Sequence, residues 1–201
     1  MERNFSDMQT YFIFAGINGA GKTALYNVLK EDIYLGERIS IDDIVKGMGD
    51  WKDPLLQIKG ARLAMKKLDS LIESGTTFHQ ETTLPGETVI RFVEKAREKG
   101  FLIVLYFVGV ENVDIAVKRV NERVLAGGHG IAESVIRKRF EEINSLLKRL
   151  IPLCNEIYLY DNTKGFRQVA VICEGETIDA DGDLPVWIEK LKDEGVIEFL
   201  M

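Results

Sequence analysis

Gly16-Ile17-Asn18-Gly19-Ala20-Gly21-Lys22-Thr23 satisfies G-x-x-x-x-G-K-[ST] at every specified position. Its flanks supply the setting that this pattern needs. Thr10-Tyr11-Phe12-Ile13-Phe14-Ala15 reads as a buried strand entering the loop, and residues 24–30 read as a helix leaving it. Between a strand and a helix, glycines let backbone N–H groups turn inward around phosphate oxygens, at a helix end whose partial positive charge favours an anion. Gly16, Asn18, Gly19, Ala20 and Gly21 are therefore expected to wrap nucleotide phosphates. Lys22 would reach the β- and γ-phosphates, and the Thr23 hydroxyl would ligate Mg²⁺.

Working outward, residues 37–43 (Glu-Arg-Ile-Ser-Ile-Asp-Asp) read as a short β-like segment ending in two carboxylates. In open α/β sheets ligands sit beyond the carboxyl ends of the strands, so Asp42 or Asp43 is placed to accept a proton from a hydroxyl nucleophile or to hold Mg²⁺ through water. One of the two is equally suited to cap a helix starting near Ile44. Apolar residues from Leu55 to Ile72 recur at helical spacing, with Pro54 in the first turn and Gly75 past the end, so a long packing helix is expected there. Residues 76–83 read as the next strand, and bring Glu81, Thr82 and Thr83 to the edge shared by Asp42 and the loop. His79 would lie on Glu81's side of that strand, either lining the pocket or satisfied in the core.

Residues 85–99 form an amphipathic helix stopped by Gly100, and residues 101–108 are continuously apolar, as a central parallel strand covered on both faces must be. Strand and helix alternate throughout, which is the pattern of a doubly wound parallel α/β sheet. A helix over residues 115–125 carries Lys118, Arg119 and Arg123, and a second basic helix carries Arg137, Lys138 and Arg139, the two joined by Ala126-Gly127-Gly128-His129-Gly130. Two cationic helices on a Gly-rich hinge read as a mobile lid, about residues 119–139, whose arginines close over a triphosphate. The alternative for each cation is a solvated surface pair with Glu122, Glu133, Glu141 or Glu142. A last core strand over 155–162, a small hairpin over 168–178 and a short helix over 184–191 complete the chain, which reads as one domain.

Bulk properties narrow the function. A net charge of −6 argues against a general nucleic-acid binder. Cys154 and Cys173 have no metal-like spacing with each other or with His79 and His129, and read as thiols in a reducing compartment. The charged start Met1–Asp7 is followed only by a strand-length apolar run, so neither a signal peptide nor a membrane span is expected, and the protein is expected in the cytoplasm. Asp179-Ala180-Asp181-Gly182-Asp183 hints at a calcium loop, but Leu184 and Lys190 stand where Gly and a bidentate Glu are needed. The D-x-x-G in that stretch follows the last core strand, and Asn162-Thr163-Lys164-Gly165 is not N-K-x-D, which disfavours a GTPase.

With these features in place, residues 11–162 resemble the zeta toxin family of P-loop kinases, in particular its short chromosomal branch. The resemblance is carried by G-I-N-G-A-G-K-T at 16–23, S-I-D-D-I at 40–44, E-T-T-L-P-G at 81–86 and R-V-N-E-R-V-L-A-G-G-H-G-I at 119–131. It implies a P-loop kinase fold and transfer of phosphate from ATP, with Mg²⁺, to a sugar hydroxyl of UDP-N-acetylglucosamine. It places the family's substrate-activating aspartate on Asp42, its substrate-binding glutamate on Glu81, its loop lysine and threonine on Lys22 and Thr23, and a lid arginine on Arg123. Ser40 departs from the better-known motif and leaves Asp43 as a rival to Asp42. Gly127-Gly128-His129 departs where other members place a second arginine, so His129, Arg137 or Arg139 is expected to supply that charge.

The sequence thus points to an ATP-dependent small-molecule kinase. Lys22, Asp42 and Arg123 would be catalytic, the loop with Arg119 and His129 would bind ATP, and Asp42, Glu81 and Thr83 would bind the acceptor. An antitoxin-like protein is the expected macromolecular partner. The competing reading is a nucleotide-dependent switch or assembly ATPase acting with a protein partner. A missing Walker-B strand of the form hhhhD-E counts against it.

Overall fold

Thr10–Ala15 forms β1, and all six of its residues are buried, as a strand covered on both faces requires. The computed structural model describes residues 8–50 and 52–197. The charged start Met1–Asp7, and the end of the chain from residue 198, lie outside the described residues. Parallel neighbours flank β1: β3 (Phe78–Thr82) on one side and β4 (Leu102–Gly109) on the other. Beyond them pair β2 (Glu37–Ile39) and β5 (Glu156–Asp161), also parallel. β6 (Arg167–Cys173) and β7 (Glu176–Ala180) continue the sheet antiparallel, giving the order β2-β3-β1-β4-β5-β6-β7.

The connecting helices are α1 (Lys22–Leu29), α2 (Ile41–Lys46), α3 (Pro54–Ser74), α4 (Thr88–Glu98), α5 (Val113–Leu125) and α6 (Glu133–Leu150), with α7 (Val186–Asp193) after the antiparallel strands. The chain runs from β1 to one edge of the sheet, returns through β3, and crosses β1 to β4. That reversal opens a crevice at the carboxyl end of β1. The doubly wound α/β fold expected from the sequence is the fold that forms. Rings of Phe14, Tyr106 and Tyr158 stack across β1, β4 and β5 at 5.1 and 4.9 Å between centroids, in register positions that face one another.

Two expectations are corrected. The segment 37–43 is strand only to Ile39; Ser40 caps α2, its hydroxyl accepting from the Asp43 backbone N–H at 3.3 Å, so Asp42 and Asp43 lie in the first helical turn and neither is the cap. The apolar stripe of α3 is core only from Gly60 onward, through Ala64, Leu68, Leu71 and Ile72, whereas Leu55, Ile58 and Leu63 are exposed. The small hairpin expected near the end of the chain forms as β6 and β7, and it extends the main sheet because β6 pairs along the free edge of β5.

Leu105 is completely buried at the centre of β4. Leu105→Ala should lower the unfolding free energy by about 2–5 kcal/mol, read from the midpoint shift in urea at constant slope.

Candidate active site

The phosphate-loop backbone is fixed by close approaches that only glycine permits. Gly19 has φ +80°, and a Cβ there would come within 2.4 Å of the Ala116 carbonyl oxygen on α5. Gly21 has φ +111°, and a Cβ would lie 2.4 Å from Asn162 Nδ2. The loop is thus wedged between α5 and the turn after β5. Asn162 Nδ2 donates to the Ala20 carbonyl at 2.7 Å across that contact.

Lys22 opens α1 and is buried, with Nζ donating to the Ile17 carbonyl at 3.0 Å. Burial pushes its ammonium down to about 8 from an ordinary 10.5. The Glu81 and Asp42 charges oppose that shift, and Arg139 and Arg123 reinforce it.

Glu81, near the end of β3, faces Phe14 of β1 in register, and this sets its carboxylate against the loop. Its Oε1 accepts from the Thr23 hydroxyl at 2.8 Å and its Oε2 from Arg38 at 3.3 Å. Arg38 also pairs through Nε with Asp43 at 3.1 Å and lies over the Tyr26 ring at 4.5 Å. The two rival aspartates are thereby separated: Asp43 is turned to Arg38, while Asp42 lines the cavity and meets His129 Nε2 at 2.8 Å. Thr23 and Glu81 set two hard oxygens side by side, which fits Mg²⁺, an ion that completes its shell with water and phosphate oxygens. Among the described residues no cluster of three or more acidic, His or Cys side chains could hold a metal unaided.

The cationic helices divide into site and surface. Arg137 pairs with Glu133 and Asp114 at 2.7 Å, outside the cavity, and so does not complete the cationic set. Lys118 and Lys138 make long i,i+4 contacts with Glu122 and Glu142, at 4.0 and 3.8 Å. Arg119, Arg123, His129 and Arg139 line the cavity instead. Arg139 donates to the Asn18 side chain at 2.6 Å, and Arg119 to the Thr163 carbonyl at 3.3 Å. Arg119 Nη1 and Arg123 Nη2 are buried without a protein partner, which leaves two cationic donors for an anion. His79 takes the core alternative: its Nδ1 donates to the Leu35 carbonyl at 3.0 Å and its ring stacks on Tyr26 at 4.7 Å.

One cavity of about 880 Å³ joins these groups, running from Asn18 and Lys22 past Asp42 and Glu81 to Thr83 and His129. Ser40, Lys52 and Gln57 also line it. Lys52 stands in the turn before α3 and Gln57 in the first turn of that helix, whose apolar spacing suggests only packing. A more apolar cavity of about 540 Å³ lies behind the loop, against Ile17, Phe107 and Trp187, and holds none of the predicted site residues.

No protein-family model matches the chain. The chain belongs to the same family as an uncharacterized protein of Haemophilus influenzae (strain ATCC 51907 / DSM 11121 / KW20 / Rd), 31% identical over 134 residues, 66% of this chain and 94% of that one. In fold it is similar to the AvrRxo1-ORF1:AvrRxo1-ORF2 complex solved with sulphate ions, at TM-score 0.68 and 17% identity over 90% of this chain. The same complex solved with ATP gives TM-score 0.64 and 16% identity over 94% of this chain, and in both cases the chain spans 63% of the matched one. The PezAT chromosomal toxin-antitoxin system of Streptococcus pneumoniae matches at TM-score 0.62 and 12% identity, over 94% of this chain and 85% of that one. Among the described residues no helix is long and apolar enough to cross a membrane.

A folded-state value below the ordinary one means that charged Lys22 costs stability below about pH 8, and that the cost is relieved as pH rises toward 10.5, where the unfolded chain keeps a proton the folded one has released. Lys22→Met should therefore raise the stability of the ligand-free protein at pH 7 by about 1–3 kcal/mol, and should flatten the rise in stability between pH 8 and 10.5. A phosphate-binding role for the loop predicts in addition that ATP raises the melting temperature of the wild type and not that of the variant. Melting curves across pH, with and without ATP, check all three.

Proposed function

We propose that the chain is an ATP-dependent kinase that transfers the γ-phosphoryl group to a hydroxyl of a small molecule, with a nucleotide sugar such as UDP-N-acetylglucosamine as the acceptor. The observation that carries this reading is that a buried lysine, two arginines with unpartnered buried donors and a cavity-facing carboxylate line one crevice at the phosphate loop. The similarity to a complex solved with ATP supports the choice of donor.

In this reading Lys22 leaves the Ile17 carbonyl for the β- and γ-phosphates, and Arg119 and Arg123 direct their unpartnered donors to the same anion. Thr23 and Glu81 would hold Mg²⁺, whose charge offsets that of the phosphates when bound. Asp42 accepts the proton of the acceptor hydroxyl while the oxygen of that hydroxyl bonds to the γ-phosphorus, and the bond from that phosphorus to the bridging oxygen breaks to leave ADP. Thr83, Lys52 and Gln57 bound the acceptor end of the cavity. Glu81, which the family resemblance assigns to the acceptor, lies against Thr23 and Arg38 and so acts at the boundary between donor and acceptor. An antitoxin-like partner is part of the proposal, supported by the similarity to the PezAT toxin-antitoxin system.

The test is transfer from γ-labelled ATP to UDP-N-acetylglucosamine beside a panel of sugar, nucleoside and amine acceptors. Lys22→Ala and Asp42→Asn should each lower transfer by about 10²–10⁴-fold, each factor of ten being about 1.4 kcal/mol of barrier. Near-normal turnover in Asp42→Asn would remove the base assignment. Hydrolysis that labels no acceptor but is stimulated by a protein partner would favour the switch ATPase.

A further inference from the structure

We infer that His129 is a positioning residue that ties the acceptor-side carboxylate to the donor-side arginine, so that the Gly-rich turn docks on Asp42 as one unit. The consequence for turnover rests on the kinase reading of Asp42; the tie itself rests on geometry. The ring Nε2 of His129 lies 2.8 Å from Asp42 Oδ2, joining residues 87 positions apart. The backbone carbonyl of the same residue accepts from Arg123 Nε at 2.8 Å. One residue therefore touches both partners, the ring on one side and the main chain on the other.

The turn is built to hold this pair together. The Gly128 N–H donates to the Arg123 carbonyl at 2.9 Å, and a Cβ on Gly128 would lie 2.7 Å from Arg123 Cγ. Gly127, at φ +83°, makes the preceding bend. Arg123 thus engages Nε with the turn and keeps Nη2 without a protein partner. With Asp42 as a carboxylate the hydrogen lies on Nε2 and the imidazole donates. That engages Oδ2 and leaves Oδ1 for the acceptor hydroxyl. Both side chains of the pair are about one third to one half exposed, at 35% and 50%. A pair so exposed adds little to global stability, so its effect is geometric. Docking the ring on Asp42 brings Arg123 into the cavity with it.

The chain has two histidines, and His79 is buried in the core, so imidazole ¹⁵N signals of the whole protein can be assigned by one substitution. Asp42→Ala should shift the His129 nitrogen signals and leave those of His79 in place. Hydrogen exchange of the amides over 126–131 should speed up equally in Asp42→Ala and His129→Ala, and no further in the double variant. In the transfer assay His129→Ala should lower kcat by about 10- to 100-fold with KM for ATP little changed, and His129→Gln, which keeps an N–H donor, should recover most of the loss. His129 signals indifferent to Asp42→Ala, or additive exchange effects, would overturn the tie, and wild-type transfer by His129→Ala would overturn its positioning role. Transfer absent from the wild type and from every variant, with the imidazole shift and the coupled exchange intact, would overturn the kinase reading and leave the tie standing.

Discussion

A buried ammonium organises this molecule. Lys22 is removed from water at the start of α1, and in the free protein one carbonyl oxygen, that of Ile17, is the hydrogen-bond acceptor it meets. Isolated burial of a charge is expensive, and two carboxylates nearby, Glu81 and Asp42, temper the cost without cancelling it. Arg123 and Arg139 add to the positive field rather than relieve it. The crevice therefore carries more positive charge than its own carboxylates balance. A polyanion at the loop would complete it, and this is why the loop, the two carboxylates and the arginines are best understood together.

The sheet decides which carboxylate does what. Parallel register sets Glu81 of β3 opposite Phe14 of β1, one residue before Ala15 meets Thr82, so Glu81 reaches Thr23 just past the loop. β2 lies one strand further out, and its Arg38 closes over Glu81 and Asp43 together while stacking on Tyr26. Asp42 escapes that clamp because adjacent residues in a helical turn diverge by about 100°. The division between Asp42 and Asp43 follows from the position of one guanidinium, and a change at Arg38 would be felt by Glu81 and Asp43 at once.

Much of this was legible in the sequence, and what was not has identifiable causes. The loop and its strand could be read because pattern and setting agree locally, and β4 because a continuous apolar run has few other fates. α2 starts three residues before the position that its two aspartates suggest as caps, because the cap is Ser40, whose hydroxyl accepts from the Asp43 amide and whose β-like neighbours give no sign of it. In α3 the periodicity was right but the burial was not: Leu55 and Ile58 keep the helical spacing, yet the first turns border the crevice, where Gln57 and Ala61 face the cavity. Periodicity reports which face a residue shares, not whether another element covers it. The choice among Arg137, Arg139 and His129 depended on which way α6 is rotated. That turns Arg137 to Asp114 and Arg139 to Asn18, a contact spanning 121 residues that no local pattern encodes.

The antiparallel end of the sheet bears on the site more directly than its distance in sequence suggests. Asp161, the last residue of β5, accepts from the Thr163 hydroxyl at 2.7 Å, from the Thr163 N–H at 3.2 Å and from Trp187 Nε1 of α7 at 2.8 Å. Thr163 in turn offers its carbonyl to Arg119 at 3.3 Å, and its neighbour Asn162 holds the loop through Ala20. Hydrogen bonds thus run from α7 through one aspartate to an arginine, and Asn162, within the same turn, adds a separate one to the backbone of the phosphate loop. Gly109 makes the packing that supports it: a Cβ there would fall 2.5 Å from the Trp187 ring, so the indole can lie against the end of β4 only because that residue has no side chain. The C-terminal elements read most simply as an edge extension of the fold. Their physical consequence is to fix the turn that meets the phosphate loop, and with it the orientation of Arg119 toward the crevice.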